Sequence, residues 1–405
     1  MGLGMVQFSR RRFVALGTAA LAAPRRSFSF SLSSEEILLN PGAAVAKLER
    51  GRVLKAAQAY LREAPKTITS APATRSAGGL HDYFSEADYF WPDPKNPDGP
   101  YVNRDGESNP GNFNTHRLLL ICLSLQVPAL AAAWLLTHKR EFAEHASAHL
   151  RAWFIEPKTR MNANLQYAQA VHGVTTGRSY GIIDTLHLVE VVQAMLVLRK
   201  GGALSDADWQ GTRAWFTEYL TWLKTSDPGR KERDAKNNHG TCWLLQAAEF
   251  AKLTGNDDVI RESRARLKDE LMPTQIAADG SFPLELARTK PYGYSLFDLD
   301  AFGMAAHVLS TSSEDLWSYT LSDGRGLAQC FRFIAPFIAN KSAWPYRHDI
   351  QYFDDLPVRQ PSLLFAGLAY KKPEYLDLWQ RLDPDPTVPE VIRNHPIRQP
   401  VLWVG

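Results

Sequence analysis

The chain has 405 residues, enough for one large domain or two ordinary ones. Hydrophobic residues make up 45% of it, which supports a sizeable core and excludes wholesale disorder. The formal charge of +3 comes from residues 1–34, which hold Arg10, Arg11, Arg12, Arg25 and Arg26 and no acid. The rest carries 41 basic and 43 acidic residues, a near-neutral body that argues against nucleic acid as a partner.

That basic segment reads as a targeting signal. Ser9-Arg10-Arg11-Arg12-Phe13-Val14 is a twin-arginine pattern, and the apolar run Val14 to Ala23 behind it is too short to span a membrane. Ala20-Leu21-Ala22 offers a small-x-small cleavage site. The expectation is twin-arginine export and a periplasmic or secreted protein. No later stretch reads as a membrane span of ~18 apolar residues, so no stable membrane insertion is expected. Cys122, Cys242 and Cys330 are odd in number and far apart in apolar surroundings. They read as small buried hydrophobes, not as a disulfide framework or a metal site.

Residues 35–405 read as one domain, closed by a Pro-rich tail from about residue 383 that is expected to wrap the surface as extended chain. Pro41 to Glu63 is a first helix, with Ala44, Val45, Leu48, Val53, Leu54, Ala57 and Leu61 at near-helical spacing. Pro65 to Phe113 follows, a long irregular stretch rich in Gly, Pro, Asn and Asp. A loop of this length in a compact domain is functional or disordered. The aromatics Tyr83, Phe84, Tyr89, Phe90 and Trp91 favour an ordered loop lying over a cleft.

From His116 onward the spacing predicts helices over 116–136, 140–153, 184–198, 206–224, 239–254, 259–271, 296–309, 325–339 and 373–382. Short links make neighbours antiparallel hairpins. Serial helical hairpins in an all-α domain of this size predict an (α/α) toroid, and an incomplete one.

Three polar stretches interrupt the helices. Arg160 to Asp184 mixes Asn162, Asn164, Gln166 and Gln169 with His172, Arg178 and Tyr180, which suits a hydroxyl-rich anionic ligand. In Ala235 to Gly255, Asn237 and Asn238 stand where they can cap a helix, His239 faces the entrance, and Gly255 stops the helix. In Asp279 to Leu299, Arg288 and Tyr294 stand six positions apart with Lys290 and Tyr292 between them, before a helix expected near Ser295. There is no Gly-x-Ser-x-Gly elbow, phosphate loop or His-Glu metal pattern.

An amide, an imidazole, a guanidinium and a phenol suit β-elimination from a uronic-acid polymer. The proton beside a sugar carboxylate becomes removable when hydrogen bonds and positive charge take up the charge of the aci-carboxylate. Asn238 and Arg288 can supply these. His239 or an ionised Tyr can take the proton, and Tyr294 can protonate the leaving oxygen. A nearby Arg is expected to lower the phenol pKa.

The stretches GGLHDYFSEADYFWPDP, NPDGPYVNRDGESNP, RMNANLQYAQAVHGVTTGRSYGIIDT, NNHGTCW and PLELARTKPYGYSLFDLDA together resemble the alginate lyase superfamily, the α/α-toroid polysaccharide lyases. The resemblance runs from about residue 75 to 305 and implies a catalytic set of Asn238, His239, Arg288 and Tyr294. The reading that follows is metal-independent elimination on a 1,4-linked polyuronate, alginate first, with an anionic polysaccharide as partner and no cofactor; a monomer is expected. Two features depart from the polymannuronate-specific branch. Gly240-Thr241-Cys242-Trp243 follows the Asn-Asn-His where that branch has Ser-Tyr-Trp, and the Arg-to-Tyr interval is one residue shorter. Glucuronan or another polyuronate is therefore the alternative substrate, and Tyr292 rivals Tyr294 as the acid.

Within this frame Tyr83, Tyr89 and Trp91 are expected to stack on sugar rings, and His81 and Arg104 to meet carboxylates. Gln169, His172, Arg178, Asn237, Lys290 and Tyr292 are expected along neighbouring subsites, with Trp344, Tyr346 and Arg347 closing the far side. Two other classes make different demands. A glycoside hydrolase would need two carboxylates, drawn from Asp82 or Glu86 with Glu285 or Asp298. A non-catalytic polyuronate-binding protein would hold polymer without turnover.

Overall fold

The structure, a computed structural model, describes residues 32–404, so the twin-arginine pattern and the apolar run lie outside the described residues. The first helices are α1 (Ser34–Leu39), α2 (Pro41–Tyr60), α3 (Thr115–Thr137) and α4 (Arg140–Phe154). Next come α5 (Leu188–Lys200), α6 (Asp206–Thr225), α7 (Asp227–Arg233), α8 (Asn238–Thr254) and α9 (Asp257–Arg266). After two short turns, α10 (Met272–Gln275) and α11 (Pro283–Leu286), the chain forms α12 (Pro291–Leu309) and α13 (Leu327–Ala339). It ends with α14 (Pro361–Ala369), α15 (Pro373–Arg381) and α16 (Pro389–Arg393).

Helices α3, α5, α8, α12 and α14 pack each on the next and form an inner row. They are apolar nearly all round, as fully buried helices are. Outer helices cover them: α2 and α4 lie on α3, α6 and α9 on α8, α13 on α12, and α15 on α14. The amphipathic α4 and α15 each bury one face, Phe142, Ala143, Ala146 and Leu150 in the first and Leu376, Leu378 and Trp379 in the second. This is the expected (α/α) toroid, and α1 bridges its ends by packing on both α2 and α15.

Two helical stretches, Thr115–Thr137 and Ser179–Lys200, are long and apolar enough to cross a membrane by length and composition alone. They correct the expectation that no later stretch has the length and composition of a span. In the fold, 72% and 78% of their most apolar windows are buried, as in core helices.

The tail corrects the sequence reading more sharply. It is not a surface wrap. The turn Pro400–Leu402 packs on α2, α3 and α5. Trp403 contacts His307 of α12 and Phe365 of α14, and its indole N–H donates to Glu190 of α5 at 3.3 Å. The tail therefore plugs the ring from inside, with Val391, Ile397, Val401 and Leu402 buried.

The loop before α3 is ordered by two small pairings. Strand β1 (Phe84–Glu86) runs parallel to β4 (Tyr167–Ala170), and β2 (Phe90–Trp91) pairs antiparallel with β3 (Val102–Asn103). The long loop is thus stitched to the polar stretch between α4 and α5.

Burial shifts the titration of a carboxyl in the core. Asp300 of α12 accepts from the backbone N–H and the hydroxyl of Ser362 on α14, and burial pushes its carboxyl up to about 7 against those hydrogen bonds. A carboxyl raised in the folded state lends stability that is fully present below its ordinary pKa near 3.8 and is lost as pH rises to about 7. Asp300→Asn is therefore expected to stabilise the protein at pH 8 by a few kcal/mol, about 4 at most, with the gain shrinking toward pH 4. Urea titrations at the two pH values check this; an equal effect at both would contradict it.

Candidate active site

The N-terminal ends of α8 and α12 open onto one cleft of about 250 Å3. Asn237, Asn238 and His239 line it from α8, Arg288 from the turn before α12, and Tyr294 from the first turn of α12. The four residues singled out for chemistry therefore share one cavity.

Asn237 is the N-cap of α8 by position, but its side chain makes no capping hydrogen bond. The Asn238 backbone N–H donates instead to the buried Glu285 carboxylate at 2.9 Å, an anion at a helix N-terminus. The cap reading of the two asparagine side chains is thus corrected: Glu285 takes that role. The Asn238 side-chain nitrogen is buried beside the Glu285 carboxyl, which it helps to hold ionised, without a well-formed hydrogen bond. Gly240 follows His239 for a steric reason, since a Cβ there would sit 2.3 Å from the Ala235 carbonyl oxygen.

His239 is held from behind. Its Nδ1 lies 2.5 Å from Oε1 of Glu232, a fully buried residue of α7, and its ring meets Tyr180 edge-on at 4.8 Å. With Nδ1 bound to a carboxylate, Nε2 is the nitrogen left for other partners. Burial raises the Glu232 carboxyl, with the His239 pair opposing it.

Arg288 and Tyr294 form a second unit. The guanidinium lies 4.3 Å over the Tyr294 ring, and its Nη2 donates to the phenol oxygen at 3.3 Å. On its other side it pairs with Asp105 from the long loop, at 2.7 and 3.2 Å. Asp105 also accepts from the Thr289 hydroxyl at 2.9 Å. The loop backbone comes this close because Gly106, at φ 80°, has no Cβ to strike Thr289. Burial opposes the Arg288 charge, but Asp105 and the phenol outweigh it and hold the guanidinium cationic.

The phenol of Tyr294 is 2.8 Å from that of Tyr89 on the loop. Burial pushes the Tyr294 phenol well above its usual range, and the pull of Arg288 and the Tyr89 hydrogen bond does not overcome it. The expected lowering by arginine is present but is the smaller effect.

Tyr292 is no longer a rival. The helix starts at Pro291, not near Ser295, so Tyr292 and Tyr294 fall two positions apart on one helix and face different ways. Tyr292 is fully buried, donates to the Phe337 carbonyl at 3.1 Å and packs on Trp344 and Phe353.

Other expected contacts divide. Tyr89, Gln169 and Arg178 line the cleft, and Gln169, at a left-handed φ of 48°, accepts from Arg178 through both its carbonyl and its side chain. Tyr83 does not: it is fully buried and donates to Asp184 at 3.1 Å. Trp344 is likewise a core residue against Tyr292. Trp91 and Arg104 stack on each other at 5.1 Å and do not line the cleft, and His81 is bound to the Arg160 carbonyl. The exposed His172 contacts Tyr101, and Tyr346 contacts Trp344. Arg347 donates to the carbonyls of Ala287 and Arg288, and so braces the turn that carries Arg288.

Lys290 does not line the cleft. Its ammonium is buried behind Tyr294, 5.0, 5.7 and 5.3 Å from the rings of Tyr89, Tyr294 and Tyr352, and 3.4 Å from Glu390. This is a desolvated cation in a tyrosine cage.

The floor was not foreseen. Asp88 of the loop is clamped by Arg117 of α3 at 2.7 Å and by Arg393 of the tail at 2.7 Å. Burial opposes the Asp88 charge, and these two cations overcome it and hold its carboxyl down to about 2. Glu390, Arg393 and Asn394 of the tail face the cleft beside it.

None of the carboxylates of the hydrolase alternative lines the cleft. Asp82 binds Asn162 and the Gly79 N–H, Glu86 pairs with Arg75, Glu285 caps α8, and Asp298 is fully buried.

Comparison with known proteins places this architecture. The alginate lyase family model matches residues 67–344. A solved alginate lyase from Bacteroides ovatus is similar at 29% identity and a TM-score of 0.78, over 91% of this chain and 96% of that one. Alginate lyase A1-III from Sphingomonas species A1 shares the fold at 16% identity and a TM-score of 0.55, over 91% and 98% of the two chains. A histidine-to-alanine variant of A1-III complexed with tetrasaccharide is similar at 16% identity and a TM-score of 0.57, over 91% and 97%. No curated protein matched in sequence. The family match spans well over half of the chain, and the chain belongs to the alginate lyase family, as a polysaccharide lyase.

Proposed function

We propose that the protein cleaves a 1,4-linked polyuronate, alginate first, by metal-independent β-elimination in the cleft at the ends of α8 and α12. The observation that carries this reading is the meeting of Asn238, His239, Arg288 and Tyr294 on one cavity, with Arg288 Nη2 3.3 Å from the Tyr294 phenol. The tetrasaccharide complex of A1-III supports an oligosaccharide as the occupant of such a cleft.

In this reading the uronate carboxylate is met by the Asn238 amide and the Arg288 guanidinium. Donors aimed at charge that develops during reaction act most strongly where water is excluded. His239, with Nδ1 on Glu232, accepts the proton from the carbon beside the carboxylate through Nε2. Tyr294 starts protonated, because burial has raised its phenol, and so is competent to protonate the leaving glycosidic oxygen. The bond from carbon to that oxygen breaks as the double bond forms, leaving an unsaturated uronate on one product.

Glucuronan or another polyuronate is the alternative substrate, on the ground of the Gly240-Thr241-Cys242 departure. The chain is further proposed to work as a monomer in the periplasm or outside the cell after twin-arginine export. An ultraviolet absorbance assay on polymannuronate, polyguluronate, glucuronan and pectate, with chelator present, tests the reading. Rising absorbance on one of them supports it and names the substrate. Absorbance that vanishes with chelator would overturn metal independence, and new reducing ends without absorbance would overturn elimination.

The Lys290 cage gives a separate expectation. Lys290→Met leaves Glu390 without its ammonium and loosens the Tyr89–Tyr294 pair, so kcat is expected to fall about 10-fold with KM little changed. Steady-state kinetics check it; a rise in KM alone would instead mean that Lys290 binds substrate.

A further inference from the structure

A second cavity, part polar and part apolar, lies apart from the cleft, where the tail crosses α2 and the segment before α14. It has a volume of about 20 Å3, and Arg52, Arg359, His395 and Arg398 line it with Glu49. A space of this size takes one particle slightly larger than a water molecule.

The chemistry of its wall is lopsided. Both oxygens of the buried Glu49 are taken, one by Arg52 at 2.7 Å and the other by Arg359 at 2.7 Å. Arg52 also reaches Asp385 at 3.1 Å. Arg398 forms no ion pair among the described residues, and its buried Nη1 has no hydrogen-bond partner. The Nε of Arg359 and the Nδ1 of the buried His395 are likewise without partners. Three guanidinium charges thus face the two carboxylates of Glu49 and Asp385. A third carboxyl nearby, Glu190, does not line the cavity; its oxygens accept from the backbone N–H groups of Arg398 and Gln399 and from the Trp403 indole. What remains is a surplus of positive charge and of guanidinium donors; burial keeps His395 neutral, so its Nδ1 joins the donors in the tautomer that carries the proton there. A water molecule would satisfy donors but would leave the charge of the half-buried Arg398 without a counter-ion.

We infer that this cavity is a binding site for one small monovalent anion of halide size, chloride in ordinary salt, held by Arg398, Arg359 and His395. The anion would clasp the tail onto α2 and the α14 segment. That tail carries Glu390, Arg393 and Asn394 to the floor of the cleft, so the clasp would hold the cleft in shape without touching substrate. The inference does not depend on the lyase reading.

Thermal unfolding of the full chain tests it, in sodium chloride, sodium bromide and sodium gluconate at one ionic strength. A ligand that binds only the folded state raises the midpoint as its concentration passes the dissociation constant. The expected result is a midpoint several degrees higher in chloride and bromide than in gluconate, with the difference lost in Arg398→Gln. In crystals grown with bromide, an anomalous peak between Arg398 and His395 is expected, and this readout needs no variant to fold. Equal midpoints in halide and gluconate would overturn the inference. A halide effect that survives Arg398→Gln, or a crystal without the bromide peak, would do the same.

Discussion

Tyr294→Phe is expected to lower kcat about 10³-fold on the active polyuronate, within the range that general acid–base groups contribute. The variant removes one oxygen and little else. The ring stays under Arg288, whose guanidinium lies 4.3 Å from it, and Arg288 keeps its pair with Asp105. Far-UV circular dichroism should therefore match the wild type, and KM should move much less than kcat. If Tyr294 were only a wall of the cleft, kcat would fall by less than about 10-fold, since a positioned proton donor accounts for the rest. Elimination would then have to find its acid elsewhere, and Tyr89 at 2.8 Å is the group that the geometry offers.

Arg288→Lys is expected to cost about 10²- to 10³-fold in kcat/KM although the charge is kept. Lysine is a point charge on a flexible stem. It cannot hold Asp105 with one edge of a planar fork and still present a donor to Tyr294, as Arg288 does at 2.7, 3.2 and 3.3 Å. The loss should therefore appear in kcat as well as KM, because the fork is asked to meet charge that grows during the reaction. An Arg288→Lys enzyme with normal kcat and raised KM would make Arg288 a simple substrate anchor. Steady-state kinetics on the same polymer separate the two outcomes.

Much of the fold was legible because helical periodicity survives burial. The helix predicted from Asp206 to Lys224 runs from Asp206 to Thr225, and that from Arg140 to Trp153 runs from Arg140 to Phe154. The start of α12 lies about four residues before the expected one, and it is this helical turn that aims Tyr292 and Tyr294, which flank Gly293, in different directions. Pro291 at the first helical position was the available signal, since proline suits that position and little else in a helix. The tail failed for the opposite reason. Its prolines suggested extended surface chain, while Val391, Ile397, Val401, Leu402 and Trp403 follow no period that marks a buried face.

The candidate site was legible where a residue type is scarce and chemically specific, as in Asn238-His239 and Arg288. It was not legible where long-range packing decides. Glu232 lies in the run DPGRKERD, which reads as a solvated face, yet burial and His239 claim it. Asp105 reads as a turn residue until the loop folds back on Thr289. Tyr83 and Tyr89 look alike in the loop sequence. Only the pairing of β1 with β4 sends the first into the core and leaves the second over the cleft.

The most direct test of the proposed chemistry is a crystal structure of the Tyr294→Phe variant with a bound tetrasaccharide of the active polyuronate. The expected complex has one uronate carboxylate within hydrogen-bonding distance of both the Asn238 amide and the Arg288 guanidinium. His239 Nε2 should face the adjacent ring carbon, and the glycosidic oxygen should lie beside the edge of the substituted ring at position 294. A tetrasaccharide bound elsewhere, or one whose carboxylates turn away from Asn238 and Arg288, would contradict the proposal.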